Sequence, residues 1–345
     1  MSHMKIIEPG LLTTFQDDGR KGYQQYGVPV AGAMDSFAMQ LANILVGNHR
    51  NDVVLEITMK GPSIEFTAKT YIALTGGKCP VTLDGNSVNM YETVCVHKGS
   101  ILKIGQVYEG FRVYLAVRGS FDLPKIMGSA STYLRGRIGG LEGDKLRVGA
   151  VLSIKEISKN RYFNLRKMPE EVIPVYDDSI DVKVILGPED DSFTPEGMKT
   201  FLGNEYILTH QCDRMGYRLE GAKIEHREGA DIISSGISLG AIQVPSHGEP
   251  IIMMADRQPT GGYAKIANVI SCDISRLAQL KPGDKVRFSA VRIDEAHQMI
   301  KAQEQTLTDL AAYYEKNEIV VSERARIFSI RVKEKQYEVV VEEIK

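Results

Sequence analysis

Three segments concentrate the residue types that chemistry needs. The first runs from Gln16 to Asp35 and holds Asp17, Arg20 and Tyr23 among four glycines and three glutamines, before a helix-like stretch. A glycine-rich loop that delivers the chain to a helix N-terminus offers backbone N–H groups to an anion. Asp35 can equally be the cap of that helix, and the two roles can coexist. The second is Cys212-Asp213-Arg214-Met215-Gly216-Tyr217-Arg218-Leu219-Glu220-Gly221. Two arginines four apart can both contact an anion, one of them as a bidentate fork, or an Asp–Arg pair can simply fix a turn. The third joins Gly240 to Pro245, which contains Gln243, with Ala255-Asp256-Arg257-Gln258-Pro259-Thr260-Gly261-Gly262-Tyr263-Ala264-Lys265. Acid, guanidinium, amide and hydroxyl crowd beside two glycines after an apolar strand. Glycine allows close backbone approach by a ligand, and the polar groups give directional bonds.

The elements that must position these residues are mostly short strands between glycine turns. Tyr71 to Thr75 runs into Gly76-Gly77, and Phe111 to Val117 alternates before Gly119. Such spacing predicts a mainly β chain, a barrel or sandwich rather than βαβ units. A turn-plus-strand pattern recurs after Gly99, Gly149 and Gly283, as a common β turn or as the matching ends of two related barrels. Two short helices interrupt the strands. One follows Asp35 and ends before Gly47; the other follows the Thr194-Pro195 cap. From Asp294 a longer helix carries an apolar stripe through Met299, Leu307, Leu310 and Tyr314, a stripe of the kind that packs on its own barrel. A hairpin follows, with Phe328, Ile330 and Val332 alternating, a turn over Lys333 to Gln336, and Tyr337, Val339 and Val341 alternating again.

Composition limits the function classes. The chain has 345 residues, 43% hydrophobic and 25% charged, with formal net charge -2. That suits a globular protein of two domains and gives no basic footprint for nucleic acid or membrane. No apolar run approaches the roughly 20 residues of a membrane helix. The first three residues read as a cloning remnant before Met4. Four cysteines without a C-x-x-C pair point to a reducing, cytoplasmic setting. Seven scattered histidines lack metal-ligand spacing, so no metal site is expected. There is no G-x-x-x-x-G-K-[ST] and no G-x-G-x-x-G, so a nucleotide site would have to be built another way.

The ordered blocks resemble those of the allophanate hydrolase subunit 2, or biotin-dependent carboxyltransferase-like, family. Thr14 to Tyr23, Gly27-Val28-Pro29, Gly32 to Asp35 and Leu41 to Asn48 match its opening blocks. Tyr114 to Gly119, Gly128-Ser129 with Ser131-Thr132, Asp213 to Gly221, Gly240 to Pro245, Asp256 to Lys265 and Pro282 to Asp284 match the later ones. Ala31, Asp144, Ala150, Pro259 and Ala264 depart from the family's usual residues. The resemblance implies two cyclophilin-like β-barrel domains, and the charged, proline-bearing composition over 157–181 reads as the linker that divides them into residues 4–156 and 182–293. A helix and hairpin over 294–345 follow. It implies the role of the C subunit in an ATP-dependent 5-oxoprolinase. There the chain would act with the B subunit to activate 5-oxoproline, and the A subunit would complete ring opening to glutamate. Asp35, Asp213 and Asp256 would then be catalytic, the latter two orienting arginines or holding a magnesium ion beside ATP phosphates. Arg20, Tyr23, Arg118 and Arg214 would bind substrate or phosphate, as would Arg218, Gln243, Gln258 and Thr260. The two halves would build the site jointly. One alternative is the carboxyltransferase part of a urea carboxylase, although the chain has no A-M-K-M biotin-attachment motif. Another is a non-catalytic module that acts on a histidine-kinase inhibitor.

Overall fold

The structure, a computed structural model, describes residues 2–155, 161–316, 319–320, 326–332 and 335–341. In the first half the strands form two sheets. One is ordered Val151–Ile154, Ser2–Glu8, Ser63–Phe66, Ile101–Ile104, Val81–Leu83, Asn86–Ser87. The other is ordered Leu12–Gln16, Val54–Thr58, Glu109–Val117, Thr70–Lys78, Thr93–Val96. They enclose a single core that includes Ile6, Phe15, Leu55, Phe66, Leu74, Leu102 and Leu115. Ser2 and His3 pair with Ile154 and Ser153, so two residues set aside as a cloning remnant extend the first strand.

The second half closes on itself. Seven strands form a barrel in the order Ser179–Leu186, Lys265–Val269, Ala241–Gln243, Ile251–Met253, Gly216–Glu220, Glu205–Cys212, Lys285–Ala290. Every pairing is antiparallel except the closing one, where Ser179–Leu186 runs parallel to Lys285–Ala290. Alternation does the sorting. Val182, Val184, Tyr206, Leu208, Tyr217 and Leu219 point inward, and Ile207 and Arg218 point out. Full closure leaves no free sheet edge.

Between the halves, the described part of the 157–181 stretch is not free linker. Arg166 N donates to Thr93 Oγ1 at 3.1 Å and Lys167 bridges to Glu92, both on the first half. The barrel's first strand already begins at Ser179.

Helix α1, Ser36–Val46, starts where its cap chemistry dictates. Asp35 accepts from Ala38 N at 2.9 Å, and Gly47 ends the helix at φ 69°. Leu41 to Val46 are all buried. Helix α2, Pro195–Gly203, is capped by Thr194, which accepts from Gly197 N at 2.9 Å. A short helix α3, Ser271–Leu277, had no cap signal in the sequence. Helix α4, Ile293–Lys316, lays Leu307, Leu310 and Tyr314 into the cluster that surrounds α1, so its stripe packs on the first half rather than on the barrel it leaves. Gly99, Gly149 and Gly283 have φ of 87°, 79° and 95° with open space beside each Cα, so the recurrent turn needs their backbone freedom, not their small size. The terminal hairpin pairs Arg326–Val332 with Lys335–Val341. Of the expected turn, Lys335 and Gln336 belong to its second strand, and residues 333–334 lie outside the described residues.

Candidate functional site

Two regions gather the charged residues singled out above. The first is a buried seam between the halves. Arg214 sits in the turn before Gly216–Glu220 with its side chain turned away from solvent. Its Nε and Nη2 donate to Asp256 Oδ2 and Oδ1 at 3.0 and 2.9 Å. Nη2 also donates to Gly32 O at 2.6 Å, and Nη1 to Glu56 Oε1. Burial alone would push this guanidinium down; Asp256 and Glu56 outweigh it and hold it above its ordinary value. Glu56 Oε2 accepts from Tyr114 OH and Met34 N, each at 2.8 Å. Tyr114 OH in turn accepts from Asp35 N at 2.8 Å.

The seam continues through Asp35. Its Oδ1 caps α1, and its Oδ2 accepts from Gln279 Nε2 at 2.7 Å and Tyr176 OH at 3.3 Å. Burial raises its pKa against the pull of those donors. Gln279 Oε1 takes Phe111 N and Arg112 N at 3.0 and 2.9 Å, and Arg112 Nη1 donates to Tyr217 OH at 2.7 Å. Met34, carried by the first half's loop, is buried in the second barrel's core. The seam therefore brings Asp35, Arg214 and Asp256 together from both halves. It brings them together as each other's partners: Arg214 has spent four donor contacts on protein, so the expected joint grip of Arg214 and Arg218 on one anion is not formed.

The second region is an open groove of about 420 Å³ on the outer face of the second barrel. Register places Arg218 opposite Ile251, and Ile251 opposite Gln243, in one row across the strands. Gly216, two residues before Arg218 and on the same face, adds no side chain there, so the floor dips. His210, Gln211, Met253, Gln258 and Tyr263 complete the walls. Arg218 is exposed and has no ion-pair partner among the described residues. Asp213 is fixed at the rim: its Oδ1 accepts from Met215 N at 2.7 Å and Gly216 N at 3.2 Å. Its Oδ2 lies 3.2 Å from Arg135 Nη2, which reaches over from the first half. The size suits a small molecule, and guanidinium, imidazole and amide groups suit a carboxylate joined to an amide.

The remaining expected residues are engaged or lie elsewhere. Gln243 borders the groove but is buried under the neighbouring hairpin, where it donates to Tyr263 O at 3.2 Å. Arg20 is fully buried; its Nη2 donates to Ser131 O, while Nε and Nη1 have no hydrogen-bond partner among the described residues. Burial pushes its pKa down. Tyr23 is half-buried at the start of the short turn Gln24–Tyr26. Arg118 donates to Val46 O at 3.1 Å and lies 3.8 Å from the Phe163 ring centre, at the C-terminal end of α1. Thr260 is exposed beside a different, shallower depression with Gln24 and Gln25. The two carboxylates expected beside magnesium are already engaged, Asp256 by Arg214 and Asp213 by backbone amides and Arg135. Their donor set does not present an open magnesium site. Among the described residues no group of three His, Cys, Asp or Glu side chains is placed to hold a metal ion, and no helix is long and apolar enough to cross a membrane.

Glu56, Arg112, Gln279, Arg135 and His210 carry no motif signal. Glu56 and Arg112 do leave a trace: each is a charge inside a strand whose neighbours are apolar and buried. Such a residue must find a partner, and here both find it across the seam.

A family profile described as carboxyltransferase domain, subdomain A and B, matches residues 26–290. The chain belongs to this carboxyltransferase domain family. Both the seam and the groove fall within the match, while α4 and the terminal hairpin follow it. The chain is 36% identical over 308 residues to the C subunit of 5-oxoprolinase from Escherichia coli, covering 89% of this chain and 97% of that one. It is 34% identical over 323 residues to urea amidolyase of Saccharomyces cerevisiae, covering 89% of this chain but 18% of the other. The crystal structure of Kluyveromyces lactis urea carboxylase aligns with a TM-score of 0.85 at 28% identity, over 97% of this chain and 32% of that one. Against these urea-processing enzymes the carboxyltransferase-family chain spans about a fifth to a third of their length.

Proposed function

We propose that the chain works as the C-type subunit of an ATP-dependent 5-oxoprolinase in the cytoplasm. In this reading it acts with the B subunit to activate 5-oxoproline, and the A subunit then finishes ring opening to glutamate. The observation that carries the reading is the match to the C subunit of 5-oxoprolinase, at 36% identity across 97% of that protein. The groove supports it chemically. 5-Oxoproline is a carboxylate on a lactam ring. Arg218 offers a charge-assisted fork to the carboxylate, Gln258 and Gln211 offer amide partners to the lactam, and Ile251 and Met253 offer an apolar floor. We assign ATP use to the assembled enzyme, since the chain carries no recognisable phosphate loop. Alone it is expected to be silent.

A second reading, carboxyl transfer to urea, is favoured by the TM-score of 0.85 with urea carboxylase. The test assays the chain reconstituted with its cognate A and B subunits on both substrates. ATP-dependent glutamate formation from L-5-oxoproline supports the first reading. Urea carboxylation that depends on a biotin carrier, with no glutamate formed, would replace it by the second.

A further inference from the structure

The groove belongs to the second barrel, yet one of its cations is delivered by the first half. Tyr133 and Ile138 exchange backbone hydrogen bonds, N to O at 2.8 and 3.2 Å, and close a short tip from Leu134 to Arg137. The stem beneath is locked. Thr132 N donates to Phe15 O at 2.8 Å, and Gly140 N to Ala130 O at 2.7 Å. Gly139 has φ 71°, and a Cβ there would fall 2.1 Å from Ser131 O, so the stem admits no side chain at this position. A rigid stem with a short tip holds Arg135 out over the groove rim, where it meets Asp213.

That contact is poised for exchange. Arg135 and Asp213 are both more than half exposed, at 63% and 56%. Ion pairs of that exposure contribute about 0–1 kcal/mol, so the guanidinium gives up little on leaving. Asp213 stays where it is, because Met215 N and Gly216 N hold its other oxygen. Arg218, which has no acidic partner among the described residues, lines the same cavity.

We propose that the Leu134–Arg137 tip is a finger that supplies Arg135 as a substrate-binding residue. On binding, its guanidinium passes from Asp213 to the carboxylate of a small anionic amide that Arg218 also holds. The inference rests on the groove being the binding site of the proposed function. It adds the charge of the substrate: two guanidinia converge on an anion, and neutral urea offers none. It also makes the site dependent on both halves, since a finger of the first half completes a groove of the second.

The test uses the reconstituted three-subunit enzyme with L-5-oxoproline. Arg135→Ala is expected to raise KM at least tenfold, equivalent to about 1.4 kcal/mol of binding. Turnover at saturation should change by less than about threefold, with melting temperature and complex size unchanged. Arg135→Lys should fall between, since it keeps the charge but not the fork. Arg218→Ala is the internal reference. If Arg218→Ala raises KM and Arg135→Ala does not, the finger is overturned and the groove stands. If neither variant moves KM, the groove reading itself fails. If Arg135→Ala breaks the complex on size exclusion, the finger serves another protein of the assembly, and the proposal is overturned.

Discussion

Arg214 and Arg218 are four residues apart in sequence and lie in opposite environments. Arg214 is buried in the seam, where Asp256, Glu56 and Gly32 take its donors. Arg218 stands on the outer face of the same strand region, exposed and without an acidic partner among the described residues. The difference teaches that a charged residue's role follows its accessibility. A buried, fully partnered ion fixes how two halves meet, and removing it strands its partners. An exposed, unpartnered one costs the fold little and is free for a ligand.

Stability separates the two regions most strongly. Arg214→Ala leaves Asp256 buried without its cation and Glu56 with only Arg112, 3.9 Å away, and the loss should be about 3–5 kcal/mol in denaturant unfolding. Arg218→Ala should stay within about 0.5 kcal/mol of wild type in the same experiment. Equal unfolding midpoints for the two variants would break the comparison.

Activity should sort them the other way. Arg218→Ala removes a charge-assisted bond of about 1.5–3 kcal/mol. The kcat/KM of the reconstituted enzyme for L-5-oxoproline should fall roughly ten- to a hundredfold while the protein stays folded. A variant with full activity would move the substrate out of the groove.

The smallest effect sharpens the seam. Asp35→Asn keeps an acceptor for Ala38 N but turns an amide toward Gln279 Nε2. Gln279 cannot reverse, because its oxygen holds Phe111 N and Arg112 N. The loss should be about 1 kcal/mol. Its pH dependence has a definite sign. Burial raises the Asp35 pKa above the ordinary 3.8, so the folded state binds this proton more tightly than the unfolded chain. The stabilising contribution of wild-type Asp35 is then full below the ordinary value and falls as pH rises through the raised one. Unfolding free energies measured from about pH 4 upward should show the wild-type advantage over Asp35→Asn narrowing. A widening gap would mean that the donors around Asp35 outweigh its burial.

The sequence makes local features legible and contacts between distant segments illegible. Both caps, Asp35 and Thr194, could be read because cap chemistry lies within three residues of the helix start. The alternating strands were equally plain. Whether they close is not local: the same alternation gives two sheets in the first half and a closed ring in the second. Asp35, Arg214 and Asp256 stood out by type. Gln279, the partner of Asp35, and Glu56, the partner of Arg214, lie far from them in the chain, and only the fold reveals them. The groove was half visible. Asp213, Arg218 and Gln258 come from noticed segments, while Arg135 sits in a loop of the other half and His210 in an ordinary strand.

The most direct measurement is a crystal structure of the assembled enzyme with L-5-oxoproline bound. The ligand carboxylate should lie within hydrogen-bond distance of Arg218 in the groove, with the Arg214–Asp256–Glu56 contacts intact. A ligand bound against Arg214 in an opened seam, with the groove empty, would contradict the division of roles between the two regions.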